Sequence, residues 1–242
     1  MKKRILGMLL LPVAALALSG EDIIRRVDKN QLFHTQKFTA TMIIEKEGRR
    51  LVKKFHGYGM NQGKKSFMEF TNPEDRGVKY LKVENELWMY FPDADDTMKI
   101  AGHMLRKGMM GSDISYEDMM EEEKLEERYD ITLEGRETVR GRSCYVVDLE
   151  SVVPDTTYAR QVLYVDTARF VPLKLELYAR GGRLLKVMDQ MDFRYSQGRW
   201  YPAEIVIRDT RRQNSKTTIR FSSMSFNVGV PKSVFTKRNL RR

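Results

Sequence analysis

The chain has 242 residues, 41% of them apolar and 31% charged, and a formal net charge of +10. That length supports one large β domain or two small ones, and no shift in composition marks a boundary between two. A single cysteine, Cys144, excludes an internal disulfide framework, and its alternating apolar surroundings read as a buried strand residue rather than a nucleophile.

At the N-terminus Met1 to Arg4 supply basic charge, Ile5 to Leu18 an apolar run short for a bilayer, and Ala17-Leu18-Ser19 or Leu18-Ser19-Gly20 a small-residue cleavage site. Residues 1–20 therefore read as a secretory signal peptide and 21–242 as a single exported domain. Leu-Ser-Gly would end a lipoprotein signal if a cysteine followed, but Glu21 stands there, so no lipid acceptor exists and an untethered protein is expected. Lys2, Lys3 and Arg4 leave with the leader, so the mature chain carries three fewer positive charges. Export argues against a nucleic-acid partner. The basic tail, Lys232, Lys237, Arg238, Arg241 and Arg242, reads as a solvated terminus or as a means of transient contact with an anionic membrane.

Glu21 to Phe33 places Ile23, Ile24 and Val27 at helical spacing, with acidic residues at the start where the helix dipole favours them. From Lys37 the period changes to two. Phe38–Lys46, a turn at Glu47-Gly48-Arg49, and Arg50–Tyr58 form a hairpin, followed by a strand over Lys64–Phe70. The loop Thr71 to Gly77 leads to Lys79–Val83 and Leu87–Phe91, whose second strand, LWMYF, is apolar on both faces and belongs between two apolar layers. A short strand spans Thr97–Ala101. Past residue 128 the alternation resumes in Tyr129–Glu137, Arg142–Glu150, Ala159–Asp166, Pro172–Ala179, Leu184–Arg194, Trp200–Arg208 and Lys216–Phe226. A continuous antiparallel sheet of about ten strands is too long to stay flat and curls toward a barrel.

One stretch breaks this rhythm. His103 to Glu127 concentrates Met104, Met109, Met110, Met119 and Met120 around a turn at Gly108 to Ser112, ahead of an acidic helix. Flexible, polarisable methionines repack around apolar guests, so the segment reads as a lid over the barrel mouth, with ordinary core filling as the plainer alternative. Trp88, Tyr90 and Phe91, with Met104, Met109 and Met110, are the candidate lipid-binding residues.

Phe70-x-x-Pro73-x-x-Arg76-Gly77-x-x-Tyr80-Leu81, Leu87-Trp88-Met89-Tyr90-Phe91-Pro92, Gly111-Ser112-Asp113-Ile114-Ser115-Tyr116-Glu117-Asp118 and Phe170-Val171-Pro172-Leu173-Lys174 resemble the exported bacterial outer-membrane lipoprotein-sorting proteins, relatives of LolA and LolB. The resemblance spans nearly all of the mature chain. It implies a mainly β fold, a half-open antiparallel β-barrel with an N-terminal helix and a helical lid insertion at about 103–127. It also implies a periplasmic carrier that holds acyl chains of lipoproteins or other lipids and sorts them toward the outer membrane, between an inner-membrane donor and an outer-membrane acceptor, with no cofactor. Family carriers latch the lid with an arginine, for which Arg76 is the nearest candidate. At about 0.8 kcal/mol per methylene, a tail of roughly fifteen carbons gains on the order of 10 kcal/mol in a dry groove.

The polar run Ser112 to Asp118 has two readings. As structure, Ser112 or Asp113 caps the following helix. As chemistry, Asp113 and Asp118 with His103 could place a water or a cation over a lipid ester, making the protein a phospholipid hydrolase, metal-dependent or not. Neither a nucleophile elbow nor a zinc-binding His-Glu-x-x-His accompanies these residues, so the carrier reading leads and no catalytic or metal residue is assigned under it.

Overall fold

Helix α1 (Gly20–Gln31) begins with a capping box: Ser19 Oγ accepts from the Asp22 amide and the Asp22 carboxylate accepts from the Ser19 amide. The helix starts one residue before the expected Glu21 because this reciprocal pair, not the first carboxylate, satisfies the free amides of the first turn. The structure is a computed structural model that describes residues 18–120, 125–154 and 156–241. Most of the proposed leader thus lies outside the described residues.

Thirteen strands follow: β1 (Thr35–Lys46), β2 (Arg49–Met60), β3 (Lys65–Phe70), β4 (Lys79–Val83), β5 (Glu86–Phe91), β6 (Asp96–Ile100), β7 (Tyr129–Val139), β8 (Arg142–Ser151), β9 (Arg160–Asp166), β10 (Pro172–Tyr178), β11 (Leu184–Ser196), β12 (Arg199–Asp209) and β13 (Ser215–Phe226). They fall where the alternating pattern placed them. Their tight turns carry left-handed backbone at Glu47-Gly48, Arg140-Gly141 and Gln197-Gly198, the geometry that matches the twist of paired strands.

All thirteen strands form one antiparallel sheet in the order β6-β5-β4-β3-β2-β1-β13-β12-β11-β10-β9-β8-β7. The last strand in sequence is therefore the middle of the sheet, and two strands adjacent in sequence, β6 and β7, are its two edges. The sheet is open: β6 and β7 do not pair. Every residue between them must leave one edge and return to the other.

Register follows one face across the sheet, because directly paired residues point to the same side. From Met42 it runs through Ile219 and Ile205 to Gln190. One register step along, Lys186 pairs with Leu177, Leu177 with Gln161 and Gln161 with Leu149. In the other direction Ala40 pairs with Phe55, Phe55 with Phe70, and farther along Tyr80 with Met89. We call this the inner face. Helix α1 packs Ile23, Ile24 and Val27 on its β7–β10 half, against Val147, Leu149, Leu163 and Val165. The outer face of β3 to β5 is covered instead by the C-terminal segment, including α3 (Lys237–Leu240), through Phe235 and Leu240.

Candidate functional site

The inner face carries the described parts of the segment that joins the two edges, residues 101–120 and 125–128. Turns at Gly102–Arg106 and Met109–Gly111 precede a short helix, α2 (Tyr116–Met120). Residues 121–124, most of the expected acidic helix, lie outside the described residues. Gly108 bridges back to Ser115, which closes the turn. A Cβ on Gly108 would lie 2.1 Å from the Ser112 carbonyl, so only glycine permits this closure. Met110 adopts φ 52, ψ 27, an uncommon backbone for a side chain of its size.

The methionines face the β1–β6 half of the inner surface. Met109 is buried in one cluster with Ala40, Met42, Ile44, Phe55, Phe70, Tyr80, Leu87, Met89 and Tyr116, and Met104, Met110, Met119, Met120 and Phe91 pack on its margin. Tyr80 and Tyr116 join their hydroxyls at 3.3 Å beneath the segment, and burial raises the Tyr80 phenol well above its usual value. Of the expected wall residues, Phe91 lies under the segment. Trp88 and Tyr90 point the other way, into the cluster covered by the C-terminal segment, where the Lys237 ammonium sits 3.6 Å from the centre of the Trp88 ring. LWMYF does lie between two apolar layers, and strand alternation divides its residues between them.

The polar run pins the segment to the middle of the sheet. Asp113, 1% exposed, accepts hydrogen bonds from Ser215 Oγ at 2.7 Å and Thr217 Oγ1 at 2.8 Å, and its amide donates to Thr217 Oγ1 at 2.8 Å. Both hydroxyls belong to β13, the central strand. Beside it, Arg212 donates to the Ser112 carbonyl at 2.6 Å. Lys186 of β11, 2% exposed, pairs with the Asp118 carboxylate and donates to Ser115 Oγ at 3.1 Å, and the Tyr158 hydroxyl donates to the same carboxylate. On the opposite half, Lys82 of β4 donates to the Met120 carbonyl at 3.2 Å.

Helix capping is present, with a different residue in the role. Ser115, not Ser112 or Asp113, caps α2: its amide donates to Asp118 Oδ2 at 2.6 Å while its Oγ accepts from the Asp118 amide at 3.4 Å. Ser112 and Asp113 come too early because the bridge at Gly108 holds them in the turn. His103 is exposed on the turn Gly102–Arg106, and Asp113 and Asp118 are engaged by different strands, so the structure does not gather these three into one site. Among the described residues no group of three or more His, Cys, Asp or Glu side chains could hold a metal ion. Arg76 is exposed and makes no hydrogen bond or ion pair among the described residues. The cations that hold the segment on the sheet are Lys186, Arg212 and Lys82, and Arg25 of α1 pairs with Glu126 at 3.7 Å. Lys186 left a trace in the sequence: it is a charge in the apolar phase of its strand, between Leu184 and Met188.

Beside the segment the inner face is hollow. A cavity of about 300 Å³ runs between α1 and the segment, lined by Leu163, Leu175, Leu177 and Met188 along its length and by Asp118 and Tyr158 at one end. A second, of about 210 Å³, shares Gln31 and Gln190 with it and lies under β12 and β13, with Ile205 and Phe221 in its lining.

A family model described as "Uncharacterized protein" matches residues 62–242. The chain belongs to that family, and its fold is LolA/LolB-like. A domain from Vibrio parahaemolyticus assigned to outer-membrane lipoprotein sorting superposes with a TM-score of 0.81 at 22% identity, covering 92% of this chain and 98% of that one. A DUF1329 family protein from Desulfovibrio piger gives 0.82 at 26% identity over 91% and 97%. A LolA superfamily protein from Nitrosomonas europaea gives 0.75 at 19% over 92% and 100%. No curated protein matches the sequence. The LolA-like chain is mainly β, a single open antiparallel sheet, and no described helix is long and apolar enough to cross a membrane.

Proposed function

We propose that this LolA-like protein is a periplasmic carrier that takes an acyl chain of a lipoprotein or another lipid into the inner-face hollow and moves it toward the outer membrane. The observation that carries this reading is the cavity of about 300 Å³ beside α1, with Leu163, Leu175, Leu177 and Met188 in its lining, next to a second one that shares Gln31 and Gln190 with it. Residues 101–120 act as a lid. When they swing out, Met104, Met109 and Met110 uncover the β1–β6 half and, with Phe91, offer it to the tail. Trp88 and Tyr90 contribute from the outer face by holding the C-terminal segment. Arg76 lacks the contacts of a latch; Lys186, Arg212, Ser215 and Thr217 have them.

Residues 1–20 direct export, the rest forms one domain, and an inner-membrane donor and an outer-membrane acceptor complete the route. Ser19 caps α1, so cleavage after Ser19 or Gly20 removes the capping box and leaves the first turn of the mature helix uncapped. The hydrolase reading gains nothing from the geometry, because both carboxylates it needs are committed to the latch.

The test is to incubate the purified protein with vesicles containing radiolabelled phospholipid, recover the protein and analyse the label. A carrier returns bound lipid of unchanged mass. Free fatty acid accumulating with time supports the hydrolase instead, and no bound label contradicts both.

A further inference from the structure

The inner face has a charge imbalance that the lid conceals. Three cations come from the sheet side around Asp118 and Asp209, next to the end of the larger cavity that Asp118 and Tyr158 line: Lys186 on β11, and Arg211 and Arg212 in the turn after β12. Among the described residues the sheet supplies one carboxylate in return, Asp209, which is 3% exposed and already takes Arg211 at 2.7 and 2.8 Å and Arg212 at 3.7 Å. The lid supplies the remainder. Asp118 pairs with Lys186, and Glu117 lies in the field of Lys186, Arg211 and Arg106.

A buried ammonium needs an anion close by, because an unpaired charge in a weakly polar interior is strongly unfavourable. If the lid swings out, Asp118 goes with it and Lys186 loses that partner. Asp209, cross-strand from Lys186, is held by two arginines and cannot fully replace it. The opened hollow then presents a cationic end beside an apolar trough of Leu163, Leu175, Leu177 and Met188. Charge at one end and hydrocarbon along the length match an amphiphile with one anionic head.

We propose that Lys186, with Tyr158 and Arg211, is a headgroup site for a lipid bearing a carboxylate or phosphate, and that the lid residue Asp118 is its built-in competitor. The proposal rests on the carrier reading and narrows its cargo. It also couples binding to opening, since a ligand shifts a two-state element only by the difference in its affinity for the two states. An anionic head that replaces Asp118 removes the charge penalty that otherwise holds the lid shut. A neutral head does not.

The experiment compares dodecanoate with 1-dodecanol, equal in chain length and differing in head charge, by calorimetry at pH 7.5 on the full-length mature protein. Native protein is expected to prefer dodecanoate by about tenfold. Asp118→Asn keeps the shape but removes the competing charge, and should raise that preference several-fold further. Lys186→Met should abolish it while dodecanol still binds. The preference is a ratio, so general loosening of the lid cancels, and the native and Asp118→Asn measurements stand even if Lys186→Met does not fold. Equal affinity for the two probes in native and Asp118→Asn protein overturns the headgroup site and leaves the carrier reading standing. Displacement of dodecanoate by inorganic phosphate at similar concentration overturns the assignment to a lipid head. Binding of neither probe removes the carrier reading as well.

Discussion

Asp113→Ala isolates the latch at the middle of the sheet. The substitution deletes the acceptor for two buried hydroxyls, Ser215 and Thr217, the latter wholly inaccessible to solvent. The Thr217 oxygen can still accept from the amide of residue 113, whereas Ser215 Oγ loses the hydrogen-bond partner that Asp113 supplied. A buried donor left without an acceptor costs about 1–3 kcal/mol, so the pair amounts to about 3 kcal/mol, or roughly 150-fold in the equilibrium between closed and open segment. The effect should be local, because Met109, Ile114 and Tyr116 pack on the sheet without forming its ladder. Native-state hydrogen exchange reads this directly. The amides of Met109, Ser112 and Tyr116, bonded within the segment to the carbonyls of Ile114, Met109 and Lys107, should exchange about a hundredfold faster, while amides in β1 and β13 keep their protection. Equal acceleration in segment and sheet would show that Asp113 supports the whole fold, and unchanged exchange in the segment would show that it latches nothing.

Other consequences follow from the placement of particular residues. Phe91→Ala should reduce uptake of a fluorescent fatty acid, whereas Trp88→Ala should leave uptake unchanged and make the C-terminal segment easier to proteolyse; the reverse pattern would put the lipid on the outer face. Arg212→Ala removes a bond to the Ser112 carbonyl worth about 1 kcal/mol and should speed lipid release about fivefold. Arg76→Leu should change neither capture nor release, and a selective effect on release would restore it as the latch. Acid sensitivity should come from Asp166 and Asp209. Burial alone would raise both carboxyls, but Arg142 with the Arg169 and Ala168 amides, and Arg211 with its own amide, hold them below the ordinary carboxylate range. A lowered folded-state value means stability present above the unfolded aspartate value of about 3.9 and lost as pH falls through the folded one. Urea midpoints should accordingly hold from pH 7 to about 5 and fall below about 4. A steep loss already above pH 5 would assign the acid limb to other groups.

The strands were legible because most keep a period of two and most end at residues that accept left-handed backbone, such as Glu47-Gly48. The interruption at 101–128 was legible for the opposite reason: its glycines and methionines keep no strand period. The latch was not. Ser215, Thr217 and Lys186 lie 68 to 104 residues from their partners, and only the pairing of β1 with β13 brings them under the segment. Hairpin logic links neighbours in sequence and says nothing about where the last strand inserts. Trp88 and Tyr90 show a second limit. A strand apolar on both sides predicts two layers, but which layer is inner depends on the C-terminal segment, whose Phe235 and Leu240 cover the outer one. In the motif Gly111 to Asp118 the carboxylates hold the segment down on the sheet, through contacts that local sequence does not announce.

The central claim is that the inner-face hollow holds a lipid tail. The most direct measurement is organic extraction of the protein isolated from its native compartment without detergent, followed by mass spectrometry of the extract. An acyl-bearing lipid should come off in near-stoichiometric amount and be lost when an apolar competitor is added before extraction. A clean extract, with no lipid taken up on later exposure to vesicles, would contradict the central claim.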